Sequence, residues 1–141
     1  MEPETIGHDQ NVSSNSVNDF IVKQLRDVIM EYISCLAFPW FNSWNGYSPI
    51  KFIRYSLGHT MDEHWDSVYG LFEGEIRGIP ILSMLGTLND DYEGGEFIMF
   101  GDKKIDMKTG DLLIFPSTFL YPHKVNPVTK GSRYSYVSWT W

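Results

Sequence analysis

The sequence predicts a mainly β protein, a sandwich or jelly roll preceded by one packing helix. Beyond residue 50, short apolar runs recur at close spacing, separated by Asn-Asp, Gly-Gly, Gly-Asp and Lys-Gly turns. Aromatic residues reach 16 %, which suits pleated, half-buried surfaces. Before residue 50, a single segment carries a 3.6-residue apolar period instead. With 141 residues, the chain is sized for one core rather than two.

Residues 1–15 are polar, rich in Asn and Ser and without periodicity, so a disordered tail is expected there. Ser16, with Asp19 three positions on, has the form of a capping box and opens a helix predicted over 16–38. Phe20, Ile21, Leu25, Val28, Ile29, Tyr32, Ile33 and Leu36 supply its apolar face, and Pro39 ends it. Strands are predicted over 51–56, 61–69, 79–88, 96–100, 103–107, 111–115, 122–126 and 133–139. Short strands with turns this close argue against a parallel sheet with crossover helices. The expected organisation is one domain over 16–141, with the jelly roll spanning about 50–141.

A net charge of −7 speaks against a nucleic-acid surface, which needs clustered Lys and Arg, and against an acidic membrane surface. Cys35 has no intramolecular partner, so nothing calls for an oxidising compartment. The acidic start lacks the apolar run of a signal peptide. The apolar stretch 32–41 is broken by Ser34 and Pro39 and is too short to span a bilayer. A cytoplasmic protein is the expectation, and its oligomeric state stays open.

The chemistry concentrates in His64, Asp66, His123 and Arg133. On a strand, the His64–Trp65–Asp66 spacing sends the two polar side chains to one face and Trp65 to the other. Two imidazoles and a carboxylate can hold Fe(II) while leaving positions open for substrate and oxygen. By itself the His–x–Asp pair is a weak signal. A later histidine and a downstream arginine able to grip a carboxylate with two bonds strengthen it. His59 is expected at a loop or rim, and His8 in the tail. Residues 69–78 mix glycines with aromatics; a structural loop is the plain reading, and a substrate lid the sharper one.

Tyr55–x–x–Gly58–x–x–Met61–x–x–His64–x–Asp66 is similar to the first metal-ligand strand of the 2-oxoglutarate and Fe(II)-dependent dioxygenases. The prolyl 4-hydroxylase-like branch matches best. Ile81 through Asn89, followed by Tyr92–Glu93–Gly94–Gly95–Glu96, resembles that branch's next segment. Gly110–Asp111–Leu112–Leu113–Ile114–Phe115–Pro116–Ser117, running on to His123 and Arg133, resembles its last.

The resemblance implies a double-stranded β-helix, the jelly roll of these enzymes, with His64, Asp66 and His123 as ligands of Fe(II). Arg133 would pair with the C5 carboxylate of 2-oxoglutarate, Tyr55 would line the same site, and Trp139 would lie near the cavity. Thr87 stands where some relatives place a tyrosine, a departure that bears on co-substrate affinity. O2 is the further co-substrate and ascorbate a candidate reductant. The implied reaction hydroxylates a proline-containing peptide or protein with release of succinate and CO2. Rival readings are hydroxylation of a free amino acid and a non-catalytic jelly-roll binding module. Nucleic-acid demethylation by a related branch is disfavoured by the net charge and by Trp139, which stands where that branch carries a second arginine.

Overall fold

The computed structural model describes residues 1–5, 12–66 and 79–141. In chain order its elements are β1 (Glu4–Thr5), α1 (Val12–Leu36), β2 (Lys51–Tyr55), β3 (Met61–His64), β4 (Leu82–Thr87) and β5 (Glu93–Gly94). They continue with β6 (Phe97–Met99), β7 (Lys103–Ile105), β8 (Leu112–Pro116), β9 (His123–Val125), β10 (Val128–Lys130) and β11 (Arg133–Thr140). One antiparallel sheet has the order β1-β2-β11-β4-β8 and a second has β3-β9-β6-β7, while β5 and β10 form a two-stranded ribbon. This is the expected jelly roll with a helix packed on its larger sheet.

Side-chain alternation divides the core into two layers. Ile53 and Tyr55 of β2, Leu85 of β4, Phe115 of β8 and Val137 of β11 point between the sheets, where Phe97 and Val125 meet them. Their neighbours Phe52, Leu82, Met84, Ile114 and Tyr136 point the other way, onto Ile21, Leu25 and Ile29 of α1. All six residues of β4 are therefore buried, as expected of a strand covered on both faces. Leu25 and Ile29 are fully buried, each contributing about 1.5–3 kcal/mol.

Gly86 is dictated by packing: the Tyr136 ring lies across it, and a Cβ would come within 2.0 Å of that ring. At Gly94, φ is +73° and a Cβ would stand 2.3 Å from the Pro127 carbonyl oxygen. The Gly-Gly pair thus turns the chain and lets β5 close on β10.

Several boundaries depart from the sequence expectation. Glu4–Thr5 pairs antiparallel with β2, and Glu4 forms an ion pair with Arg54, so the expected disorder over 1–15 does not hold there. An open edge on β2 offers backbone partners that composition alone does not reveal. The helix begins at Val12, which places Ser16 inside it rather than at its cap. Once nucleated, a helix gains a hydrogen bond per added residue, and this outweighs the modest preference of a cap. Phe20 is 64 % exposed because it sits about 100° round the helix from Ile21. At the far end Ala37 adopts φ 51°, a left-handed terminus ahead of Pro39.

The strand expected over 61–69 stops at His64, since its partner β9 is only three residues long and pairing ends at His123. Among the unpredicted strands, β5 and β10 are very short. The candidate lid, 69–78, lies outside the described residues, as does His8. No described helix is long and apolar enough to cross a membrane.

Candidate functional site

Met61 and His64 both line the space between the sheets, although residues three apart on a regular strand face opposite ways. The register resolves this. Met61 pairs with Val125 and His64 with His123, so β3 carries one residue more than β9 between the two pairs. That bulge turns His64 inward, directly across from His123. Trp65 then points out, 47 % exposed, and Asp66 swings back toward β4. The expected arrangement of His64 and Asp66 is reached through a bulge and a bend, with Asp66 beyond the strand.

The donor atoms of His64, Asp66 and His123 all lie within 4.8 Å of one another. Asp66 Oδ1 stands 3.5 Å from His64 Nε2 and 3.4 Å from His123 Nε2. His64 Nδ1 lies 2.7 Å from the Asp62 carbonyl oxygen, and His123 Nδ1 lies 3.1 Å from that of Tyr121. A carbonyl can only accept, so each Nδ1 carries the proton and each neutral ring turns its Nε2 lone pair inward. Asp66 is held by Ser83, whose hydroxyl donates to Oδ2 at 2.6 Å. Burial works against ionisation of Asp66, but His123 and His64, when protonated, and the Ser83 hydroxyl prevail and keep its carboxyl far below the usual range. The bond to Asp66 raises the His64 pKa against the opposing effect of burial. Two imidazole nitrogens and one ionised carboxylate oxygen, oriented this way, could hold Fe(II).

The triad opens on a cavity of about 180 Å³ with mainly apolar walls, among them Leu85, Phe97, Phe115 and Val125. Arg133, Tyr55 and Trp139 line it too. Arg133 is 2 % exposed. Its guanidinium lies over the Tyr55 ring, 5.0 Å from the centroid, and Nη1 donates to Ser135 Oγ at 3.3 Å. Among the described residues no carboxylate comes within ion-pair distance of it. Burial raises the Tyr55 phenol pKa, and the Arg133 charge draws it partly back, so the hydroxyl stays protonated at neutral pH.

Thr87 lies outside this lining. Its hydroxyl faces the Met107 sulfur at 3.8 Å, and it borders a separate cleft of about 500 Å³ that Arg133 also reaches. His59 is buried in the β2–β3 connection and takes no part in the convergence. Sequence reasoning missed Ser83, Ser117 and Ser135. Ser83 and Ser117 stand inside the quoted motifs, but a lone serine on a strand signals nothing until its neighbours are known.

The model of the 2OG-Fe(II) oxygenase superfamily matches residues 50–141. A PKHD-type hydroxylase of Delftia acidovorans is 36 % identical over 98 residues, covering 65 % of this chain and 42 % of that protein. The PKHD-type hydroxylase PiuC of Pseudomonas aeruginosa is 38 % identical over 98 residues with the same coverage. The chain thus spans 42 % of the length of these curated relatives. Two solved structures share the fold. The viral collagen prolyl hydroxylase of Paramecium Bursaria Chlorella virus-1 superposes with a TM-score of 0.70 at 18 % identity, over 99 % of this chain and 78 % of that one. A Pseudomonas putida prolyl-4-hydroxylase gives 0.64 at 23 % identity, over 98 % and 70 %. Sequence match and jelly roll agree, and the chain belongs to the 2OG-Fe(II) oxygenase superfamily.

Proposed function

We propose that the chain is an Fe(II)- and 2-oxoglutarate-dependent dioxygenase acting on a prolyl residue of a peptide or protein. A substrate C–H, 2-oxoglutarate and O2 would give C–OH, succinate and CO2. One observation carries the reading: His64, Asp66 and His123 converge in the same cavity as a buried guanidinium with no described carboxylate beside it.

The chain's own groups would act as follows. His64 and His123 present Nε2 because carbonyls hold their Nδ1 protons. Asp66, its pKa held low, remains ionised with the Ser83 hydroxyl donating to Oδ2. Bound iron would supply the oxidative decarboxylation chemistry, which asks no acid–base pair of the protein. Arg133 would take the far carboxylate of 2-oxoglutarate, with the neutral Tyr55 hydroxyl beside it; Thr87, bordering the cleft on which Arg133 also opens, would support that end. The apolar walls would limit water near the reacting carbon.

A neighbouring groove supports the peptide reading. A groove of about 600 Å³, lined by Glu63, Trp65, Phe119 and Pro122, shares His64 with the cavity. A fold neighbour from Trichoplax adhaerens, also a prolyl hydroxylase, is known in complex with a peptide fragment of hypoxia inducible factor. The free amino acid reading has its own support in Lys51, which lines the cavity with no ion-pair partner among the described residues and could receive a small substrate's carboxylate.

The test is succinate release with Fe(II), 2-oxoglutarate and O2, offered proline-containing peptides and free proline in parallel. Peptide-stimulated turnover that His64→Ala abolishes is expected. Stimulation by free proline alone would replace the peptide reading, and metal-independent or absent turnover would overturn the oxygenase reading.

A further inference from the structure

Asp66 has two carboxylate oxygens, and the surroundings treat them differently. Oδ1 faces both imidazoles at 3.4–3.5 Å, whereas Oδ2 accepts from Ser83 at 2.6 Å. Ser83 is itself held by a hydroxyl–hydroxyl contact of 2.8 Å to Ser117, and the two serines are 3 % and 1 % exposed. Backbone geometry fixes both in place. Ser83 sits on an interior strand of the larger sheet, paired with Trp139 on one side and Phe115 on the other. Ser117 follows β8 directly and its amide donates to the Ile81 carbonyl at 3.0 Å.

We propose that Ser83, supported by Ser117, is a positioning residue that restricts Asp66 to a single ligating oxygen. The inference rests on the metal-centre reading above. A carboxylate can bind a cation through one oxygen or both. If Asp66 used both, it would take a position needed by the co-substrate or by O2. A hydroxyl donating to Oδ2 from a rigid strand opposes that rotation and leaves Oδ1 alone toward the centre. Serine suits the task because it is short enough to sit in the sheet and can donate to Asp66 while accepting from Ser117. The two hydroxyls then form a directed chain, Ser117 to Ser83 to Asp66, in a water-poor interior where such bonds are strong.

The test uses the full chain and measures metal binding apart from turnover, with Co(II) or anaerobic Fe(II) followed by visible spectroscopy. Ser83→Ala is expected to weaken metal binding about 10- to 100-fold, the range for loss of a group that orients a ligand. Its Co(II) spectrum should change as the carboxylate gains freedom, and the KM for 2-oxoglutarate should rise. Ser117→Ala, one bond removed, should give a smaller change in the same direction. Ser83→Thr, which keeps the hydroxyl, should restore binding and spectrum. A role confined to stability would lower the melting temperature of Ser83→Ala but leave metal affinity and spectrum as in the parent. That result, from Ser83→Ala or from Ser117→Ala if the first does not fold, overturns the proposal while the metal centre stands. Parent protein that takes up no metal overturns both.

Discussion

Arg133 is among the largest fully buried side chains described, and it is charged. An aromatic face and a serine hydroxyl compensate a buried guanidinium only in part, so its place in the core has a stability cost that an anionic ligand would offset. Replacing it with the apolar Met should therefore separate function from stability. In Arg133→Met, 2-oxoglutarate affinity is expected to fall on the order of 100-fold or more. The melting temperature of the co-substrate-free protein should hold or rise, and metal affinity should stay unchanged. Titration and thermal melts check all three. The pKa shifts of the triad give a second expectation. His64 is raised, so its pairing with Asp66 stabilises the metal-free protein fully below about pH 6.5 and fades as pH climbs through the raised value. Asp66 is lowered, so its contribution is present above about pH 4 and is lost only as acid drives it toward that depressed value. For these two groups the metal-free protein is most stable between those limits. Metal requires the neutral imidazole, and binding should weaken as pH drops from 8 to 6, with His64 rather than Asp66 setting the fall. Co(II) affinities across that range give the answer, and a pH-independent Kd would contradict it.

Strands β2, β4, β8 and β11 of the larger sheet each serve two layers, so a change on one face is felt through the backbone on the other. Gly86 shows this at its sharpest, facing Tyr136 across the β4–β11 register. Gly86→Ala drives a Cβ into the Tyr136 ring and is expected to cost about 1–3 kcal/mol by overpacking. Removing the ring as well with Tyr136→Ala should make the double variant less destabilised than the sum of the two singles. Denaturant melts of all four proteins would show it, and simple additivity would mean that the contact does not govern the choice of glycine. The bulge in β3 acts at the same scale. The residues of β3 read as a plain strand, and only pairing with the three-residue β9 forces the extra residue that turns His64 inward. For the same reason Ser83 was invisible as a functional group. Its importance comes from Asp66, seventeen positions earlier, arriving at its hydroxyl.

At the level of the whole molecule, the triad ties the β3–β9 edge of one sheet to β4 of the other through Asp66 and Ser83. A bound cation would tighten that link between the sheets. Saturating metal at 100 times its Kd is expected to add about 2.7 kcal/mol, several degrees of melting temperature in a chain of this size. Stripping the protein with a chelator should reverse the gain, and a melting temperature indifferent to metal would argue against a centre at this junction. Much of this architecture was legible in the order of residues. Periodicity announced the helix and eight of the strands, because a helix face and a pleated strand each repeat at a spacing set by backbone geometry. The candidate triad and Arg133 stood out in the sequence because few side chains can perform the chemistry they would serve. Tertiary structure alone decided which hydroxyls hold Asp66, that Thr87 borders a neighbouring cleft, and that Glu4–Thr5 closes an open edge. Those outcomes depend on contacts between residues far apart in the chain, whose approach is set by sheet register and bulges rather than by any local preference.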